Sequence, residues 1–163
     1  MDSVSIEMGI AMLLLFVVPI VYAVTNQSRK EKKTIKKVEA LCGANQIKLT
    51  SSAIFHTLFI GIDENSKTLV TSTVPVKEEH IDVFPLNEVK ACNLLKIQTP
   101  KPGQPKASTI EKVAIEITFL DKERKNHQII FFDDEVGMEP LASVNEASSW
   151  LTLIQNNLTR IMH

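Results

Sequence analysis

The apolar residues divide the chain into three regimes. From Met8 to Ser28 the sequence MGIAMLLLFVVPIVYAVTNQS runs for twenty-one residues without a charge, bounded by Glu7 and Arg29. At the helical rise of 1.5 Å per residue this is about 31 Å, close to the hydrocarbon thickness of a bilayer, and the stretch reads as a transmembrane helix over 8–28 behind a short tail, 1–7. Its Leu, Ile, Val and Phe residues favour insertion by about 3 to 6 kcal/mol in sum. Pro19 is tolerable there as a kink. Over 29–43 the apolar positions Ile35, Val38 and Leu41 or Cys42 recur at helical spacing, which predicts an amphipathic juxtamembrane arm that Gly43 would end.

Beyond Ile47 the period changes to two. Ile54, His56, Leu58, Ile60 and Ile62 alternate with Phe55, Thr57, Phe59 and Gly61, predicting one strand with apolar groups on both faces. DENSK, 63–67, is a polar turn into TLVTSTV, so the two form a hairpin. His80 to Phe84 is a short strand, PLNEV a turn, and Lys90 to Gln98 a strand with Val89, Ala91, Leu95 and Ile97 on one side and Cys92 and Leu94 on the other. TPKPGQPKAS, 99–108, has three prolines and a glycine and predicts a solvent-facing loop. Val113, Ile115, Ile117 and Phe119 mark a half-buried strand, DKERKN a turn, and HQIIFFD a strand covered on both sides. The last element is a helix: Ser143 and Glu146 have capping-box spacing, and Val144, Ala147, Leu151, Ile154, Leu158 and Ile161 form one apolar face beside Trp150. That face is too short for a coiled coil and is expected to pack on the sheet.

Charge assigns the anchor an orientation. The collar RKEKKTIKK carries Arg29, Lys30, Lys32, Lys33, Lys36 and Lys37, whereas the tail before the apolar segment has Asp2 and Glu7 and no basic residue. The positive-inside rule therefore places the N-terminus outside and the domain in the cytoplasm, at the inner (plasma) membrane. The same tail lacks the positive n-region of a signal peptide, although Val21-Tyr22-Ala23 keeps a cleavage site as an alternative. The six basic residues have two readings, attraction to anionic lipid head groups and a collar that only fixes topology. The remainder of the chain holds twelve basic and fifteen acidic residues, and this mild acidity argues against a nucleic-acid partner.

The chemistry-bearing residues are sparse. Cys42 and Cys92 fit neither a disulfide framework nor a zinc spacing, and each is expected in a core, with membrane-proximal palmitoylation an alternative for Cys42. His56, His80, His127 and His163 form no local metal pair. Asp133-Asp134-Glu135 lacks the alternating ligands and glycine of a calcium loop. The sequons at Asn26 and Asn157 lie beside the anchor and within the last helix. Nucleophile elbow, phosphate loop, dinucleotide fingerprint and metalloprotease helix are all missing, so no catalytic residue, metal or cofactor is assigned.

The order of strands, IDVFPLNEV as strand and turn, and SSWLTLIQNN in a closing helix together resemble a pleckstrin-homology-like domain of the bacterial PH or GRAM-like kind. The resemblance spans 45 to about 160. The whole chain is also similar to short membrane-anchored bacterial proteins, typical of Bacteroidetes, that join one membrane helix to such a module. It implies an α+β, mainly β domain over 45–163: a partly open barrel of about seven antiparallel strands closed by one C-terminal amphipathic helix. Many such modules bind phosphoinositides through a basic first hairpin, but here that turn, Asp63 to Lys67, is net negative and would repel a phosphorylated head group.

The resulting expectation is a non-catalytic, membrane-anchored binding or scaffolding module with a protein partner and no small-molecule substrate. Partner contacts are expected at an exposed sheet edge and at the loop holding Pro100, Lys101, Pro102, Gly103, Pro105 and Lys106. The alternatives are an anionic-lipid-responsive sensor working through the collar and an extracytoplasmic envelope domain.

Overall fold

A computed structural model describes residues 29–76, 80–101, 104–134 and 139–158, with Val17 and Asn26 as isolated positions. The predicted anchor, 8–28, otherwise lies outside the described residues, as do Pro102, Gly103, Ile161 and His163. No helix among the described residues is long and apolar enough to cross a membrane.

The described residues are mainly β, with two antiparallel sheets and two α-helices. Sheet A has the order β1 (Ser51–Phe55), β2 (Leu58–Asp63), β3 (Thr68–Thr73) and β4 (Ile81–Pro85). Sheet B has the order β5 (Val89–Lys101), β6 (Gln104–Phe119) and β7 (His127–Asp133). Helix α1 is described over 29–44, and α2 covers Pro140–Asn157.

Register explains which side chains share a face. Ile60 pairs with Ala53 and Thr71, while Ile62 pairs with Ser51 and Leu69, and Leu69 pairs with Phe84. Ile60, Ile62, Leu69 and Phe84 thus point to one face, where they join Ile115, Ile117, Phe131, Trp150 and Ile154 in the main core between the sheets. The alternate residues Phe59 and Val70 point the other way and meet Val38 and Cys42 of α1 in a second core. β2 and β3 are therefore covered on both sides, which is why β2 reads as apolar on both faces.

The two sheets cross nearly at right angles. His127, at the start of β7, packs on Phe84 of β4 with ring centroids 4.7 Å apart, and Phe131, four residues on, packs on Phe55 of β1 at 5.6 Å. β4 and β1 are opposite edges of sheet A, separated by three interstrand gaps, or about 14 Å. Four residues of β7 span about 13 Å. β7 therefore runs across sheet A from one edge to the other. The described strands leave the two sheets unjoined there, without a closed barrel. α2 packs across sheet B and buries Ala147, Trp150 and Ile154 in the main core.

Several elements differ from the sequence expectation. Ile54 to Ile62 is two strands, because His56 takes φ 54° and turns the chain back so that Phe55 pairs with Leu58. Continuous alternation would have put those two residues on opposite faces; the turn puts both against the main core. In β5 a bulge between Val89 and Ala91 shifts the alternation, so Val89 and Cys92 are buried together and Ile97 is exposed. Ile130 of β7 is also exposed, so HQIIFFD is covered only in part.

The predicted loop 99–108 is mostly a continuation of the β5–β6 hairpin, with Pro100 opposite Ser108 and Lys101 opposite Gln104. β7 accompanies β6 only from Lys112 to Ile117, so among the described residues both ribbon strands beyond it have an edge with no partner strand, where a proline costs no ladder bond. The capping box is also absent. α2 starts a turn earlier, at Pro140, whose missing N–H suits the first helical position; Ser143 is buried inside the helix and its hydroxyl donates to the Glu139 carbonyl.

Candidate functional site

Among the described residues a cavity with polar groups lies where β7 crosses the end of sheet A. On the inner face of that sheet, apolar residues give way to polar ones along each strand. Leu69 and Phe84 are followed at the next inward positions by Thr71 and Asp82, which pair, and Thr73 lies beyond, opposite Leu58. Polar side chains there cannot continue the dry core, and a cleft of about 590 Å³ opens between them and β7. His80 adds a side chain from the start of β4.

The other wall consists of His127, Gln128, Ile129 and Ile130, with Asp133 at the far end. Consecutive residues of a strand point to opposite faces, so four in a row can line one cavity only if the strand presents its edge. β7 pairs with β6 on its other side. Among the described residues no strand pairs with the edge that faces the cleft. A smaller hollow of about 40 Å³ adjoins it, between the β1–β2 turn at His56 and the end of β7.

The cleft brings together residues far apart in the chain. His80 and His127, with Asp82 and Asp133, all line it, a convergence that no local spacing announces. They do not form a metal centre: no group of three or more His, Cys, Asp or Glu side chains is placed to hold an ion among the described residues. The signal that could have found the cleft is the polar character of Thr71, Thr73 and Asp82 at inward strand positions. It becomes readable only once the register is known.

The sequence-predicted sites lie elsewhere. Arg29, Lys30, Lys32, Lys33, Lys36 and Lys37 are all exposed on α1, and Lys37 Nζ donates to the Val76 carbonyl at 2.9 Å. Pro100 and Lys101 lie in the β5–β6 ribbon with Pro105 and Lys106 across from them, away from the cleft. Cys42 is buried between α1 and sheet A, where burial and then the charge of Glu39 push its thiol pKa up. Cys92 is buried in the main core, its pKa pushed up to about 11 by loss of solvent.

Asp63 and Lys67 of the β2–β3 turn are both engaged within the fold. Burial alone would raise the Asp63 pKa, but its carboxylate accepts from the backbone amides of Lys48, Asn65 and Ser66 at 2.9, 2.9 and 3.2 Å, and these hold it below the ordinary 3.8. Lys67, the basic residue of the turn, donates to Asn157 Oδ1 at 2.7 Å. That bond ties the turn to the end of α2 and buries Asn157. Comparison with protein-family models, curated proteins and solved structures gives no significant match.

Proposed function

We propose that this protein is a single-pass membrane protein whose domain is a PH-like, non-catalytic binding module, and that it takes an extended segment of a partner protein along the cleft edge of β7. The observation that carries the reading is the cleft itself: about 590 Å³, walled on one side by a strand edge that no described strand pairs and by Thr71, Thr73 and Asp82 on the other. A strand edge supplies main-chain hydrogen bonds to any extended peptide, and the side chains around it select the sequence. The volume falls in the range of ordinary ligand sites, about 300 to 1,000 Å³.

Support for the PH-like architecture comes from the succession of a four-stranded and a three-stranded antiparallel sheet, their near-orthogonal crossing, and the C-terminal helix packed on the second sheet. Support for the anchor comes from the uncharged segment 8–28 and the basic collar after it. In this reading the N-terminus is outside and the domain cytoplasmic. Confinement to the membrane raises the domain's effective concentration toward other membrane-associated chains.

A photo-reactive residue at Gln128, exposed on the cleft edge of β7, tests the binding reading in cells. A discrete protein adduct is expected from Gln128. It should be missing from the same residue at Asn145 on α2, and lost when Ile130→Lys is added without a change in melting temperature. Equal adducts from Gln128 and Asn145, or an adduct indifferent to Ile130→Lys, would sink the proposal.

A further inference from the structure

The collar that follows the apolar segment is a docked helix. Val38 is fully buried and Cys42 nearly so, with Ile35 and Leu41 packed around them against Phe59 and Val70 of sheet A. The apolar stripe that would let an amphipathic arm sink into a bilayer is thus already occupied by protein. What remains on the surface is mostly charged.

The positions of that charge follow from helical geometry. At about 100° per residue, with Arg29 at zero, Lys36 lies near 340°, Lys33 near 40° and Lys32 near 300°. Val38, Cys42 and Ile35 lie near 180°, 220° and 240° on the same wheel, on the opposite side. Arg29, Lys32, Lys33 and Lys36 are all exposed. They form one basic stripe directed away from sheet A.

We propose that α1 lies along the membrane surface with this stripe against anionic lipid head groups, so that sheet A stands on it and the cleft opens away from the bilayer. The inference rests on the anchor reading, which holds the stripe beside the membrane. Charge complementarity selects the partner: a flat anionic lipid surface matches a stripe four basic residues long on a helix with no free apolar face. Orientation of the helix matters as well. If α1 stood upright, Lys36 would be about 10 Å above Arg29, beyond the Debye length of about 8 Å at physiological salt, and would feel little of the surface. Lying flat, each basic residue contributes about fivefold to the preference for the apposed state.

The test uses the full chain in vesicles carrying a lipid-bound quencher, with a fluorophore placed by Ala40→Cys on the exposed side of α1 or by Gln128→Cys at the cleft; Cys42 and Cys92 are buried and stay unlabelled in the native protein. Quenching at Ala40 is expected to be strong in vesicles with phosphatidylserine and weak in pure phosphatidylcholine, and to fall in high salt. Lys36→Gln and Arg29→Gln are expected to reduce it equally, while the Gln128 probe stays bright throughout. Quenching that is the same in both lipids, that responds to Arg29→Gln but not Lys36→Gln, or that is stronger at Gln128 than at Ala40 overturns the inference. Flotation separates the two readings: a chain that floats with neutral vesicles yet shows no charge-dependent quenching overturns the orientation and leaves the anchor standing. A chain that does not float with neutral vesicles removes the anchor and the inference together.

Discussion

Replacing Val38 by alanine tests whether α1 is part of the folded unit. Val38 is fully buried between α1 and the outer face of sheet A, next to Phe59 and Val70. The substitution removes two methylene equivalents at about 0.8 kcal/mol each, and incomplete collapse of the space raises the loss to about 2 kcal/mol. For a domain of about 120 residues, with an unfolding entropy of about 2.1 cal/mol/K per residue, that is a drop in Tm of about 8 °C. Lys36→Ala on the exposed side of the same helix is the control, expected to change stability by less than about 0.5 kcal/mol. The assay is thermal denaturation of the full chain in nanodiscs, followed by the fluorescence of Trp150, the one tryptophan. A Val38→Ala protein melting within a degree of wild type would mean that α1 contributes nothing to the folded state, and the docked-helix account would be wrong.

Three further outcomes follow from the geometry. Asp63→Asn should cost about 1 to 3 kcal/mol, because an amide cannot accept all three backbone N–H groups that the carboxylate holds. Since the folded pKa of Asp63 lies below its ordinary value, its stabilisation is present above about pH 4 and lost as pH falls through the folded value; acid titration of stability should be shallower in the variant. Cys92 behaves in the opposite sense: its raised pKa means stability is intact below pH 9 and declines between 9.0 and about 11, a decline that Cys92→Ala should remove in equilibrium denaturation at alkaline pH. Gln46→Gly and His56→Gly should each stabilise by up to about 1 kcal/mol in urea titrations, because both residues hold positive φ, 61° and 54°.

The same residues show what was legible in the chain and what was not. Alternation located β6 and the β2 arm of the β2–β3 hairpin, since burial on one or both faces leaves a period-two trace that survives without tertiary information. The β1–β2 turn was hidden because a two-residue reversal at His56-Thr57 uses neither glycine nor asparagine, so its conformation has no compositional mark. The end of α1 was misplaced for a similar reason. Gly43 lies within the helix, and the reversal is made by Gln46 in the left-handed conformation, with Ile47 N–H donating to the Cys42 carbonyl and Gln46 N–H to that of Gly43.

The prolines between 99 and 108 argue for a loop, but a two-stranded ribbon accommodates them at its edges. The basic residues of the collar were plain in the sequence, but that their apolar companions are spent on sheet A could be learned only from packing. The cleft was the least visible feature. It depends on Thr71, Thr73 and Asp82 pointing inward and on β7 crossing above them, and neither register nor crossing angle leaves a local pattern.

The central claim is a membrane-anchored module whose folded domain works on the cytoplasmic side. A pair of reporters fused in turn at His163, one active only in the cytoplasm and one active only outside it, measures this directly. Activity of the cytoplasmic reporter and silence of the other is the predicted result. Activity of the outside reporter would contradict the charge argument, reverse the assigned orientation, and move the search for the cleft's occupant to the cell envelope.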